Sequence, residues 1–425
     1  LTRSQGAPPI VIALVTSSTG ELHCLLPVLR LVRDKHPAAE IWVVFGDRST
    51  RRKFEKDDIY KRILTDITVK ILHKWALITL PFTSKRHRVR LIFKEFGPTP
   101  RNSVPSLLRS ICPRSSLVLF PHAYTLHNSG TAQPAAASRS KRADYDQDAI
   151  DALLVGSQLD VDSWAEKLDR GKIQVVGATG YTVWWGDIIR QYAADSSLPA
   201  TLRPYVFLTT RGPHDVYLTE DNYRYLVKNA VKTALSFADV TVVIKPHPRE
   251  DPKQLASLVA EFPKDRVQFS PLNTLALASR AIVTVSFWSS ALLDSLAAGT
   301  PAIEFHRYHH PIPQTVLDES GAVASIYTTL GLALKATTAE ELAGALDVAL
   351  FDRATLLENQ RRALKACFPD DSAALDALTR LLENFMTRSR RPDSRQNAAA
   401  ASLRLTCVAL IDAVHQLTER AGNGH

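Results

Sequence analysis

The chain has 425 residues, 45% of them hydrophobic and 22% charged, with a formal net charge of +9 and four cysteines. That length is too great for one compact α/β domain and right for two, and the balance is that of a globular protein, neither disordered nor fibrous. The cysteines form no CxxC and no close pair, which argues against a disulfide framework or a zinc site, while the basic excess favours anionic partners such as nucleotide phosphates, acidic sugars or an anionic membrane leaflet.

The opening "IVIALVTS" (10–17) reads as a buried strand and not as a signal peptide. "GELHCLLPVLRLVRDKHP" (20–37) carries apolar residues at helical spacing and stops at proline; "EIWVVFGD" (40–47) is a second strand. Basic runs follow at Arg48–Lys56 and Lys85–Arg90, without any zinc-finger, RNP-type or helix-turn-helix pattern, so nucleic-acid readout is not expected. Further strands are expected in "LVLFPHAY" (117–124), "DALLVGSQ" (151–158) and "KIQVVGATGY" (172–181), the last two separated by a helix around "DVDSWAEKLDRG". Residues 130–147 have loop composition and are expected to act as a lid. "DSSLPATLRP" (195–204) reads as a linker, after which the rhythm restarts. "YVFLTTRG" (205–212), a helix through 220–237, "VTVVIKPHP" (240–248), "RVQFSP" (266–271) and a strand–helix–strand unit over 281–305 follow, with helices from 337 onward.

Strands alternating with helices at this rhythm imply parallel pairing. The expected fold class is therefore α/β, with two Rossmann-like doubly wound domains facing a cleft. The boundaries expected are 1–195, 196–386, and a basic then helical tail over 387–425. No stretch reads as a convincing transmembrane helix, and a cytoplasmic protein is expected, held peripherally at the inner membrane by its basic runs.

Three loops of the second domain are expected to converge at the carboxyl ends of its strands, where open α/β sheets bind ligands. "TTRGPHD" (209–215) offers the fork-shaped donor Arg211, the small Gly212 and the acid Asp215. "IKPHP" brings Lys245 and His247, and "SFWSSALLDSLAAGTPAIEF" places Ser289 and Ser290 where a strand gives way to a helix, a natural anion site. Glu304, ending the next strand, stands where a ribose hydroxyl needs an acceptor. Each residue also has a plainer role open to it: Ser289 as an N-cap, Trp288 as core, Glu304 and "HRYHH" (306–310) as surface loop. No metal ligand set is recognisable.

The "IKPHP" and "SFWSSALLDSLAAGTPAIEF" segments resemble the HP and SS motifs of bacterial B-type (GT-B) transferases that use cytidine nucleotides. That group includes bacterial sialyltransferases, transferases of Kdo (3-deoxy-manno-octulosonic acid) in capsule, lipopolysaccharide and O-antigen assembly, and teichoic-acid glycerophosphotransferases. The resemblance covers about 205 to 310; in the first domain only "SSTGE" (17–21) is loosely like the glycine–glutamate turn of lipid A Kdo transferases. It implies that His247, Ser289 and Ser290 bind the cytidylate phosphate. The acidic pair that opens a sialyltransferase motif is missing, which turns the expected donor toward a CMP-activated Kdo-like acidic sugar and the acceptor toward a surface glycan or glycolipid.

Such a transferase needs positive charge for the departing phosphate, and either a base for the acceptor hydroxyl or a carboxylate nucleophile. Asp215 is the first candidate for the carboxylate and Glu21, on the opposite lip, the second; His122 or His127 would act as base or hold the acceptor. No cofactor is expected beyond the donor itself. The competing readings are a non-hydrolysing sugar-nucleotide 2-epimerase, whose usual Arg-Pro-Glu turn is missing after the first strand, and a non-catalytic glycan- or nucleotide-binding module.

Overall fold

The computed structural model describes residues 7–16, 20–67, 70–121, 126, 142–194, 204–214, 218–247, 250–308, 315–317, 321–387 and 404. The first half runs β1 (Ile10–Val15), α1 (Gly20–Lys35), β2 (Glu40–Phe45), α2 (Arg48–Phe54), α3 (Asp58–Ile67) and β3 (Lys70–His73). It continues through β4 (Val89–Glu95), α4 (Val104–Ile111), β5 (Ser116–Phe120), β6 (Ile150–Val155), α5 (Leu159–Ala165), β7 (Ile173–Val175) and α6 (Val183–Ala194). The second half opens with β8 (Tyr205–Thr209), α7 (Glu220–Leu235), β9 (Thr241–Lys245), α8 (Pro252–Val259), β10 (Val267–Phe269) and α9 (Thr274–Ala278). Then come β11 (Val283–Ser286), α10 (Ala291–Ala298), β12 (Ala302–Phe305), the short hairpin β13 (Thr315–Leu317) and β14 (Val323–Ser325), and α11 (Ile326–Thr329). β15 (Leu334–Ala336), α12 (Ala339–Phe351), α13 (Arg353–Cys367) and α14 (Asp371–Thr387) complete it.

Two parallel sheets result, ordered β3-β2-β1-β4-β5-β6-β7 and β10-β9-β8-β11-β12-β15. The doubly wound expectation holds for both. Central strands such as "IVIALV" are buried along their whole length because helices cover both faces, which is why they read as unbroken apolar runs. The strand after Arg88, "VRLIFKE", escaped the sequence reading, because Arg90, Lys94 and Glu95 interrupt its apolar run. It nonetheless lies beside β1 at the centre of the first sheet.

The two halves share one apolar core. Leu22, Leu25 and Leu29 of α1, Ile63 of α3 and Trp185 of α6 belong to the same cluster as Leu275 of α9 and Leu292, Leu293 and Leu296 of α10. The last described helix does not stay with the second sheet: α14 packs against α1 and β4, and Ser157 Oγ donates to the Cys367 carbonyl at 2.6 Å. The chain thus returns to the first sheet after α13. The expected linker lies outside the described residues except Pro204; so do 130–141 of the expected lid and, apart from Thr387 and Arg404, the tail. Among the described residues no helix is long and apolar enough to cross a membrane.

Candidate active site

Each sheet reverses its strand order once, between β1 and β4 in the first and between β8 and β11 in the second. The crevice outside the carboxyl ends of such strands is where ligands bind in open α/β sheets. At the second crevice, Thr209 Oγ1 donates to Ser286 Oγ at 2.7 Å, so the loops after β8 and β11 leave side by side. The next residues meet. The Arg211 guanidinium lies 4.1 Å from the Trp288 ring centroid, and its Nη1 donates to the Trp288 carbonyl at 3.3 Å.

Trp288 has φ +62°, the one non-glycine residue in the left-handed region among those described. A bulky aromatic pays strain there, and such strain concentrates at functional sites. The bend delivers the chain directly into α10. Ser289 Oγ accepts from the Ala291 N–H at 3.2 Å, while the Ser290 hydroxyl takes no capping bond. Arg211, Ser289, Ser290 and the amino end of α10 are thus brought together as expected.

Gly212 packs against Glu250, a residue the sequence reading passed over; a Cβ at Gly212 would stand 3.4 Å from Glu250 Cα. Glu250 is buried and ties three segments together. It accepts from Thr210 Oγ1 (2.6 Å), Tyr223 Oη (2.6 Å) and the His247 backbone N–H (3.0 Å). Burial raises its pKa against the pull of those three donors. His247 therefore sits in a loop pinned to the loop that carries Arg211. The acid lies two residues after "IKPHP", but its partners are invisible without the fold.

Lys245 is placed differently from its neighbours. Its ammonium donates to the carbonyls of Leu272 and Pro271, and burial lowers its pKa while Asp57 and Asp294 raise it. Its charge is thereby committed to the contact between the domains. There Asn273 Nδ2 lies 3.5 Å from Asp57 Oδ2. His23, on α1, has Nδ1 2.8 Å from Tyr60 Oη and Nε2 2.9 Å from Asp294 Oδ1 of α10. The latter pairs the imidazole with the Asp294 carboxylate. Burial alone would lower the His23 pKa, but Asp294, with Asp57 behind it, more than offsets this and the net shift is upward. His23, Asp57 and Tyr60 give no local sequence signal, because each meets Asn273 or Asp294, more than two hundred positions away, only in the folded chain.

Glu304, at the end of β12, is 2% exposed and accepts from Tyr308 Oη at 2.8 Å. Burial pushes its pKa up to about 7 against the hydrogen bonds of Ser325 and Tyr308. It is a core carboxyl and not part of a surface loop. On the first domain, Glu21 is also fully buried, and its oxygens accept from the Thr16 N–H at 2.9 and 3.2 Å, closing the β1–α1 turn. Lys94, whose Nζ donates to the carbonyls of Glu95 (2.8 Å) and Gly97 (3.1 Å), lies close enough to feel its charge. Asp215, His122, His127 and Arg249 lie outside the described residues. So do His309 and His310; among the described residues no group of three potential ligands could hold a metal.

Two Rossmann-like sheets with a cleft between their carboxyl ends define the GT-B fold, and comparison with solved structures agrees. A putative UDP-N-acetylglucosamine 2-epimerase from Listeria monocytogenes superposes with TM-score 0.58 at 13% identity, over 91% of this chain and 99% of its own. A glycosyltransferase from Rickettsia africae gives 0.52 at 12% identity over 90% of this chain and 100% of its own. Anabaena HepE in complex with UDP-glucose gives 0.52 at 13% identity over 88% and 99%. At such identities the likeness is one of fold. No protein-family model matches the chain, and no curated protein matches it in sequence.

Proposed function

We propose that the protein is a sugar-nucleotide-dependent glycosyltransferase that binds its donor on the second domain. The observation that carries the reading is the convergence of Arg211, strained Trp288, Ser289 and Ser290 at the switch point of the second sheet. Arg211 and the amino end of α10 supply positive charge where the nucleotide phosphate departs, a role in which prepositioned donors stabilise the transition state. The bond from the anomeric carbon to the phosphate oxygen breaks, and an acceptor oxygen attacks the same carbon after losing its proton. Asp215 remains the first candidate to receive that proton or to form a glycosyl intermediate, with His122 beside the acceptor. Glu21, already holding the Thr16 N–H, is better suited to shaping the turn it caps.

The finer reading, a CMP-linked acidic sugar of the Kdo type passed to a surface glycan or glycolipid, is supported by the HP and SS motifs and by the net charge of +9. Peripheral attachment to an anionic membrane is supported by the basic runs alone. Sugar-nucleotide 2-epimerisation is the second reading, favoured by the Listeria structure and the UDP sugars named for such neighbours. A thermal-shift series with CMP, CDP, UDP and GDP separates them, since a ligand that binds only the native state raises Tm. Stabilisation by CMP that disappears in Arg211→Ala or His247→Ala supports the transferase reading. A shift with UDP alone, accompanied by epimer formation from UDP-N-acetylglucosamine without any acceptor, replaces it with the epimerase.

A further inference from the structure

A cavity of about 920 Å³ lies at the opposite end of α10 from Ser289 and Ser290, a volume within the usual range for small-molecule sites. Its floor is apolar, built by Tyr181, Leu296, Leu357 and Phe368, and its mouth is basic. Of the acids around it, Glu358 pairs with Arg362, Asp370 caps Ser372 and Ala373, and Asp371 accepts the Val183 N–H at 2.6 Å. Arg353 donates to the carbonyls of Ile282 and Gly299. That leaves Arg361 and Lys365, which make no hydrogen bond or ion pair among the described residues, though the Lys365 charge helps lower the pKa of Asp370. They are four apart on α13, hence on one face, and that face continues the stripe begun by Leu357.

We propose that this cavity binds a small amphipathic anion, an aromatic or short aliphatic body with a carboxylate, sulfonate or phosphate head. The body fills the floor and the head takes Arg361 and Lys365. The site's walls come from both passes of the chain between domains: Tyr181 and Val183 lead into α6, and Phe368 to Asp371 lead into α14. The Tyr181 and Phe368 rings meet edge to face at 5.8 Å, and the Val183–Asp371 bond clips the two passes together. A ligand here also touches Leu296 and Ala297, on the helix whose first turn faces the cleft. The inference is independent of the glycosyltransferase reading.

The test uses the full chain and 8-anilinonaphthalene-1-sulfonate as probe, read by fluorescence, with neutral N-phenyl-1-naphthylamine as its uncharged counterpart. The expected result is one saturable sulfonate site per chain and weaker binding of the neutral compound. In Arg361→Glu/Lys365→Glu the affinity for the sulfonate falls by about tenfold or more, as for the loss of a charge-assisted hydrogen bond. Both positions are exposed, so the double variant should keep the native circular dichroism and Tm. Ala297→Phe, which fills the floor, should weaken both compounds. Sulfonate binding that is unchanged in the double variant overturns the proposal, and so does a probe expelled in simple competition by nucleotide or a signal that never saturates.

Discussion

Replacing Glu304 by Gln should flatten the pH dependence of stability, and the sign follows from its burial. The folded carboxyl has its pKa raised to about 7 from an ordinary 4.5, so the native state holds this proton where the unfolded chain has released it. Stability from the group is fully present below pH 4.5 and is lost as pH rises toward 7. At about 1.4 kcal/mol per pKa unit, that span corresponds to a loss on the order of 3 kcal/mol. Glu304→Gln keeps the shape and an acceptor for Tyr308 Oη but cannot ionise. Urea denaturation of both proteins at half-unit steps from pH 4.5 to 7.5 measures the effect. The variant should gain on the wild type steadily across that window, then run parallel to it. A difference that stays constant with pH would refute the burial argument, and one that changes the other way would mean that the carboxylate is stabilised by a charge that the contacts of Glu304 do not reveal.

Three further outcomes are expected. Arg211→Ala should weaken nucleotide binding, measured calorimetrically, by about 1.5–3 kcal/mol, since it removes the guanidinium stacked on Trp288 beside the amino end of α10; unaltered affinity would remove Arg211 from the site. Glu250→Ala should cost about 3–5 kcal/mol in urea melts, since it strands Thr210, Tyr223 and the His247 N–H together, whereas Glu250→Gln should recover much of that; equal losses would show that the acid is not the organiser of these loops. For His23, whose folded pKa is raised above 6.5, the stabilising contribution is present below that value and declines as pH rises through the folded pKa, so the advantage of wild type over His23→Gln should shrink above pH 6.5. An advantage that grows with pH would mean that Asp294 does not favour the imidazolium.

The apolar runs at 10–15, 40–45, 116–120, 205–209 and 241–245 declared parallel strands by themselves, since a strand covered on both faces must be apolar throughout. Two domains, the α/β class and the convergence of Arg211 with Ser289 and Ser290 followed from that rhythm, because the fold class dictates where strand ends lie. What the chain alone did not disclose were contacts closed by tertiary structure. The mixed "VRLIFKE" strand takes its central place only because β1 pairs with it. Glu250 acquires its meaning from Tyr223 and Thr210, and Trp288 from a backbone twist that no composition encodes. Lys245 read as a cation aimed at a ligand, yet the packed domains bring Asp57 and Asp294 to it and turn it inward. Residue type sets what a group can do; burial and the partner delivered across the cleft decide which of those things it does.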